Sequence, residues 1–316
     1  MMTAYHHAQR TIALAALMGL LSLPVNAGSL LEEKFDATGF ASRGWFDSAS
    51  PVVSTAQHID GSTGSLEMRY LAGAITPATL PSPMRHSFTA SDAVYVRYYV
   101  KYSDNWQGSN MPYHPHEFYL LTTADDRWIG PGNTHFTAYI EQNEGTLQMG
   151  MQDSLNINAT KIGVDLTNVT ESRGVAGCNG NPDGVSSDCY NAGTYRNGKW
   201  YRSAAVNFTD AQGPRYKANW HKIEAYVKFN SVVNGKGLAD GVMQLWEDGA
   251  LVVDRKNIIM RTAANATMKF NSILIGPWIG DGSPVDQTTW IDDLLVTDTL
   301  PIAPPNAPVL QASPGA

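Results

Sequence analysis

VMQLWEDGALVVD, residues 242–254, decides the fold. Apolar and polar residues alternate on both sides of Asp248-Gly249, and a D-G pair between alternating runs is a strong signal for a two-residue β-hairpin. Working outward, Asn143-Glu144-Gly145 separates HFTAYIEQ (135–142) from TLQMGMQ (146–152) in the same way. Similar runs predict strands near 30–36, 65–70, 93–103, 116–124, 220–230, 270–278 and 289–297. No helical period interrupts them after the first 27 residues, so the chain reads as one all-β domain of the antiparallel sandwich type.

The 316 residues are 43% hydrophobic and 16% charged, which excludes a disordered or collagen-like chain. The net charge is −7, and no run of five Lys/Arg occurs, so a nucleic-acid partner is not expected. Arg10, the apolar run 11–23 and the small-residue ending Val25-Asn26-Ala27 have the order of a secretory signal peptide cleaved after Ala27. The apolar run is shorter than the roughly 20 residues that span a bilayer. Gly28 follows where a lipid-anchored chain has Cys, so no membrane anchor is expected and the destination is secreted or periplasmic. Cleavage removes Arg10 and no acid, leaving a net charge of −8. In that oxidising setting Cys178 and Cys189 are expected to pair as a local disulfide.

Residues 154–219 form a long Gly/Asn/Ser/Asp-rich stretch, read as an ordered insertion bordering a cleft; the alternative is a surface decoration. From 301 onward the Pro/Ala-rich tail reads as extended and poorly ordered.

Period-2 sorting assigns faces. In AVYVRYYVKY (93–102), Val94, Val96, Tyr98, Val100 and Tyr102 make one face, with Tyr95, Arg97, Tyr99 and Lys101 on the other. In WHKIEAYVKFN (220–230), His221, Ile223, Ala225, Val227 and Phe229 oppose Lys222, Glu224, Tyr226, Lys228 and Asn230. Both strands therefore carry a cationic, tyrosine-bearing face, which suits either a polyanion or plain solvent. PYHPHEFYLLTTADDRW (112–128) adds His114 and His116 on one side of an extended segment and Glu117 on the other. An H-x-H pair can hold a metal, but no third ligand follows at close spacing, so His116 reads as a surface or strand-end histidine or as a general base or uronate-binding group. Tyr139 and Glu141 share a face in the next strand, as do Gln148 and Gln152 in its partner. Acids at the two ends of the domain, Glu32, Glu33 and Asp36 with Asp292 and Asp293, offer hard oxygens for a structural calcium ion. Glu33 and Asp292 are the expected ligands.

From Trp220 to Val296 the chain resembles the C-terminal half of concanavalin A-like jelly-roll proteins. The shared features are a Trp-His strand, a W-x-D-G hairpin, a Gly/Trp strand and a closing Trp-Ile-Asp-Asp strand. The segment is most similar to secreted polysaccharide lyases of the alginate and glucuronan type. That resemblance implies a β-elimination enzyme for a uronate polysaccharide or oligosaccharide, with a Tyr, His or Lys taking the C5 proton and an Arg, Gln or Asn neutralising the carboxylate. The candidates are His116, Tyr139, Tyr226 and Lys222 for catalysis, and Arg97, Tyr99, Lys101, Gln148 and Lys228 for substrate. A non-catalytic sugar-binding jelly roll, stacking sugars on Trp106, Trp128, Trp200 and Tyr201, is the alternative. The E-x-D-x-x-E strand of retaining glucanases on this fold is missing.

Overall fold

The computed structural model describes residues 28–48, 50–109, 116–122, 136–152, 201–261 and 266–301. These lie within one unit, Ala27–Pro301. The leader, Cys178 and Cys189, His114, Trp128, Trp200, most of the 154–219 insertion and the tail beyond 301 lie outside the described residues.

The alternation seen in 93–102 sets the architecture. In strand β6 (Ala93–Tyr102), Val94, Val96, Tyr98, Val100 and Tyr102 are buried, and they face the alternate residues of a second sheet. Tyr98 meets Phe118 across the gap with ring centroids 4.3 Å apart, and Phe229 stacks on Phe270 at 4.3 Å, with Phe136 edge-on at 5.4 Å. This is two sheets packed face to face with interdigitated side chains.

The first sheet contains β1 (Ser29–Glu33), β3 (Val52–Ser54), β4 (Ser65–Tyr70), β6, β11 (His221–Lys228), β14 (Gly241–Glu247), β15 (Ala250–Ile258) and β17 (Gln287–Thr297). Its order is β15-β14-β11-β6-β17-β4-β3, with β1 also on β17. The second sheet contains β2 (Trp45–Phe46), β5 (Met84–Ser91), β7 (His116–Leu121), β8 (Thr137–Asn143), β9 (Thr146–Gln152), β10 (Tyr201–Arg202) and β16 (Phe270–Trp278). Its order is β10-β9-β8-β7-β16-β5-β2. A small ribbon joins β12 (Val232–Val233) to β13 (Lys236–Gly237). The main sheets are antiparallel throughout, and the fold is a β-sandwich jelly roll.

Both hairpins form. Asp248 and Gly249 have φ of 48° and 83°, the left-handed pair that a two-residue turn needs. The other turn is tighter than the sequence reading: Asn143 pairs with Thr146, leaving Glu144-Gly145 as the loop. β5 was not expected from sequence, because MRHSFTAS has no sustained apolar alternation and is held by its neighbours β16 and β2. The end of the insertion is also part of the domain. Arg202 and Tyr201 extend the second sheet, and Tyr201 and Phe208 enter the core. The stacking roles expected of Trp106 and Tyr201 are corrected here: both are buried. Trp106 packs on Tyr102 at 5.0 Å, and Arg255 covers the Tyr201 ring.

Candidate active site

Alternation places the predicted site residues on two different surfaces. In β11, Ile223, Ala225 and Val227 point into the core, so Lys222, Tyr226 and Lys228 point away from it. They lie beside Arg97, Tyr99 and Lys101 of β6, with Lys222 opposite Tyr99. In β8, Ala138 and Ile140 are the core residues, so Tyr139 and Glu141 face outward from the second sheet. His116, Tyr139 and Gln148 are brought together there. The other six face outward from the first sheet, across the whole sandwich, so the nine do not make one site. The reason is strand order: β6 and β11 are neighbours in one sheet, whereas β7, β8 and β9 are neighbours in the other.

Of the four predicted cations on the first sheet, three meet a local partner. Arg97 binds Asp293 at 2.6 Å, Lys222 binds Glu224 at 2.8 Å, and Lys101 donates to Gln57 at 2.8 Å. Tyr95 donates to Glu224, and Lys34 also reaches Asp293. Lys228 is exposed at the strand end.

The outer face of the second sheet is polar yet buried. Glu141 is 0% exposed and Gln148 2%. Glu141 and Gln148 are direct cross-strand partners, and Gln148 Nε2 donates to Glu141 Oε1 at 2.7 Å. Oε2 of the same carboxylate lies 2.6 Å from His116 Nδ1. A carboxylate only accepts, so Nδ1 carries the proton and the neutral ring has its lone pair on Nε2. The imidazole stacks on Tyr139, with centroids 5.5 Å apart and planes 25° apart, and Tyr119 closes against both rings. Gly276 makes room for this packing: a Cβ there would stand 2.9 Å from Tyr119 Cε2 and 2.3 Å from Leu274 Cδ2. The row is extended at both ends. Trp278, 43% exposed, is the β16 partner of His116, and Arg202, opposite Gln148, shares its face.

Sequence reading named His116, Tyr139 and Gln148 but gave no role to Glu141, Arg202 or Trp278. A face count in β8 and β9 would have found Glu141 opposite Gln148. Arg202 could not be placed, because it follows the long insertion. Glu117 points to the opposite side from His116, in agreement with the sequence reading, and the register of β7 on β16 shifts between Ile275 and Trp278. Glu117 is buried, and Tyr102 donates to it at 2.7 Å. Burial pushes its carboxyl up to about 8, the Tyr102 bond opposing the shift and the Glu141 charge adding to it.

The acids expected to hold calcium have other partners. Glu33 accepts from Phe35 N, Arg43 Nε and Trp45 Nε1 at 2.8–3.0 Å. Asp292 accepts from Ile59 N, Ser62 Oγ and Asp293 N at 2.7–3.1 Å. Among the described residues, His221, Glu247 and Asp248 bring one possible ligand atom each within 4.8 Å of one another. No helix among them is long and apolar enough to cross a membrane.

No family model matches the chain, and no curated protein matches its sequence. Solved structures do match. An alginate lyase from Chlorella virus aligns over 83% of this chain and 98% of its own, with a TM-score of 0.53 and 13% identity. The marine PL-14 alginate lyase from Aplysia kurodai aligns over 85% of this chain and 99% of its own, with a TM-score of 0.50 and 13% identity. At that identity the likeness is one of fold: the chain has the jelly-roll sandwich of these polysaccharide lyases.

Proposed function

We propose that the chain is an exported polysaccharide lyase that cleaves a uronate-containing polymer by β-elimination on the outer face of the second sheet. The observation that carries this reading is His116 Nδ1 held at 2.6 Å by a fully buried Glu141. That contact fixes the tautomer and aims Nε2 as a base, the logic by which a carboxylate orients a catalytic histidine. Nε2 takes the C5 proton, the electron pair moves to form the C4–C5 double bond, and the C4–O4 bond breaks. Tyr139, stacked on the same ring, supplies the hydroxyl that protonates the departing oxygen.

The charge that develops next to the uronate carboxylate needs a cation or amide directed at it beforehand. Arg202, with a side chain 40% exposed and 3.7 Å from Glu144, is a cation on this face, as is the buried Arg85, the β5 partner of Leu274. Gln148 gives its amide hydrogen to Glu141 and so holds the orienting carboxylate. Trp278 offers an exposed ring of the kind that stacks on sugars. The signal-peptide pattern of residues 1–27 supports action outside the cytoplasm. The test is incubation with alginate, glucuronan and glycosaminoglycans, following the ultraviolet absorbance of the unsaturated product. Binding of these polymers without absorbance on any of them would replace the enzyme with a sugar-binding module.

A further inference from the structure

A second cluster lies at the far end of the first sheet, where the Asp248-Gly249 turn meets the start of β11. His221 is 1% exposed; its Nε2 faces the Tyr216 carbonyl at 2.9 Å and its Nδ1 faces Asp248 Oδ2 at 2.9 Å. Both partners are acceptors. With Nε2–H donated to the carbonyl, the Nδ1 lone pair and the Asp248 carboxylate oppose each other, and a positive centre is required between them. Glu247 brings a second carboxylate, 4% exposed. Asn207 Nδ2 donates to its Oε2 at 2.7 Å, while Oε1 is buried with no hydrogen-bond partner among the described residues. One ligand atom from each of the three residues lies within 4.8 Å of the others.

We propose that His221, Glu247 and Asp248 form a binding site for a divalent first-row metal ion of the zinc type. One imidazole nitrogen and two carboxylates are a donor set for zinc, whereas calcium and magnesium prefer all-oxygen shells. The surroundings fit a ligand set. The second ring nitrogen donates to a backbone carbonyl, Asn207 holds one carboxylate, and Lys222 N holds Asp248 Oδ1 at 2.8 Å. Asp248 is 48% exposed, which provides a route for the ion and room for water as a fourth ligand. The frame is rigid, because the turn is fixed by its left-handed φ and by Asp248 N on the Lys222 carbonyl. The site would tie the β14–β15 turn to β11 and, through Asn207 and Leu147 N, to β9 of the other sheet. It does not depend on the lyase reading.

The test uses untagged full-length protein, stripped with chelator and titrated with Zn2+, Co2+ and Mg2+. We expect one equivalent of Zn2+ to bind and raise Tm with dose, Co2+ to give the visible absorption of a four-coordinate site, and Mg2+ to do neither. Glu247→Gln and Asp248→Asn should each weaken Zn2+ binding at least ~10-fold, and Asn207→Ala should weaken it on the order of 10–100-fold as an outer-shell change. Metal-free Tm of each variant shows that it folds, and Asp248→Asn, at a half-exposed position, carries the test alone if Glu247→Gln does not fold. Wild-type protein that binds Zn2+ no better than Mg2+ overturns the site and leaves a proton as the occupant. So does Zn2+ binding unchanged in both carboxylate variants, which would assign the metal to other histidines.

Discussion

The two outer faces of the sandwich carry the same kinds of residue arranged to opposite effect. On the first sheet Arg97, Lys101, Lys222 and Lys228 look like a cationic platform, but Asp293, Glu224 and Gln57 sit beside the first three. On the second sheet the central carboxylate is buried: Glu141 has Gln148 on one oxygen and His116 on the other. An exposed ion pair is screened by water and contributes little. A buried carboxylate aimed at an imidazole sets a tautomer. Chemistry therefore follows burial and orientation, and a count of cations along a strand does not reveal it.

The contrast is broken or sharpened first by activity. On a polymer that the wild type cleaves, His116→Ala should lower kcat/KM by ~10²–10⁴, the usual contribution of a positioned base, whereas Lys222→Ala and Tyr226→Phe should stay within ~3-fold. Equal losses on the two sheets would abolish the distinction.

The next effect is on stability against pH. Glu117 titrates near 8 in the folded chain, far above the ordinary carboxylate value of 4.5. The folded state thus holds a proton that the unfolded state releases from about pH 4.5 upward. Its stabilising contribution is complete below that pH and is lost as pH rises to about 8, on the order of a few kcal/mol in total. Glu117→Gln should flatten this decline, so that its Tm relative to wild type rises between pH 5 and pH 9. Parallel Tm curves would mean that Glu117 is ionised in the core.

Smaller still is the expected change at Glu33. Glu33→Gln disturbs the acceptor of the Trp45 and Arg43 hydrogen bonds and should cost about 1–3 kcal/mol. The loss should be the same with and without added calcium, as read by urea melts; a loss seen only with calcium would assign Glu33 and Asp292 to the cation. The smallest effect belongs to the first sheet's outer face, where Arg97→Ala should change stability by about 1 kcal/mol or less.

Much of this fold was legible in the sequence, for a local reason. Alternation in 93–102 and 220–230 assigned Val96, Tyr98, Ala225 and Val227 to the core, because a strand reverses its side chains at every residue. The turn residues marked the two hairpins for the same local reason. Sheet membership depends on long-range pairing. β6 lies between β11 and β17, each far away in the chain, and no local pattern separates them from β7 and β8. Tyr226 and His116 were grouped on that account. β5 depended on its neighbours' hydrogen bonds, which are not written in the segment itself.

The most direct measurement is the pH profile of polymer cleavage by wild type, His116→Ala and Glu141→Gln, read as unsaturated-uronate absorbance. The account predicts cleavage by the wild type, near-complete loss in His116→Ala, and in Glu141→Gln a lowered kcat with a displaced acidic limb at little change in KM. Wild-type rates retained in His116→Ala would contradict it.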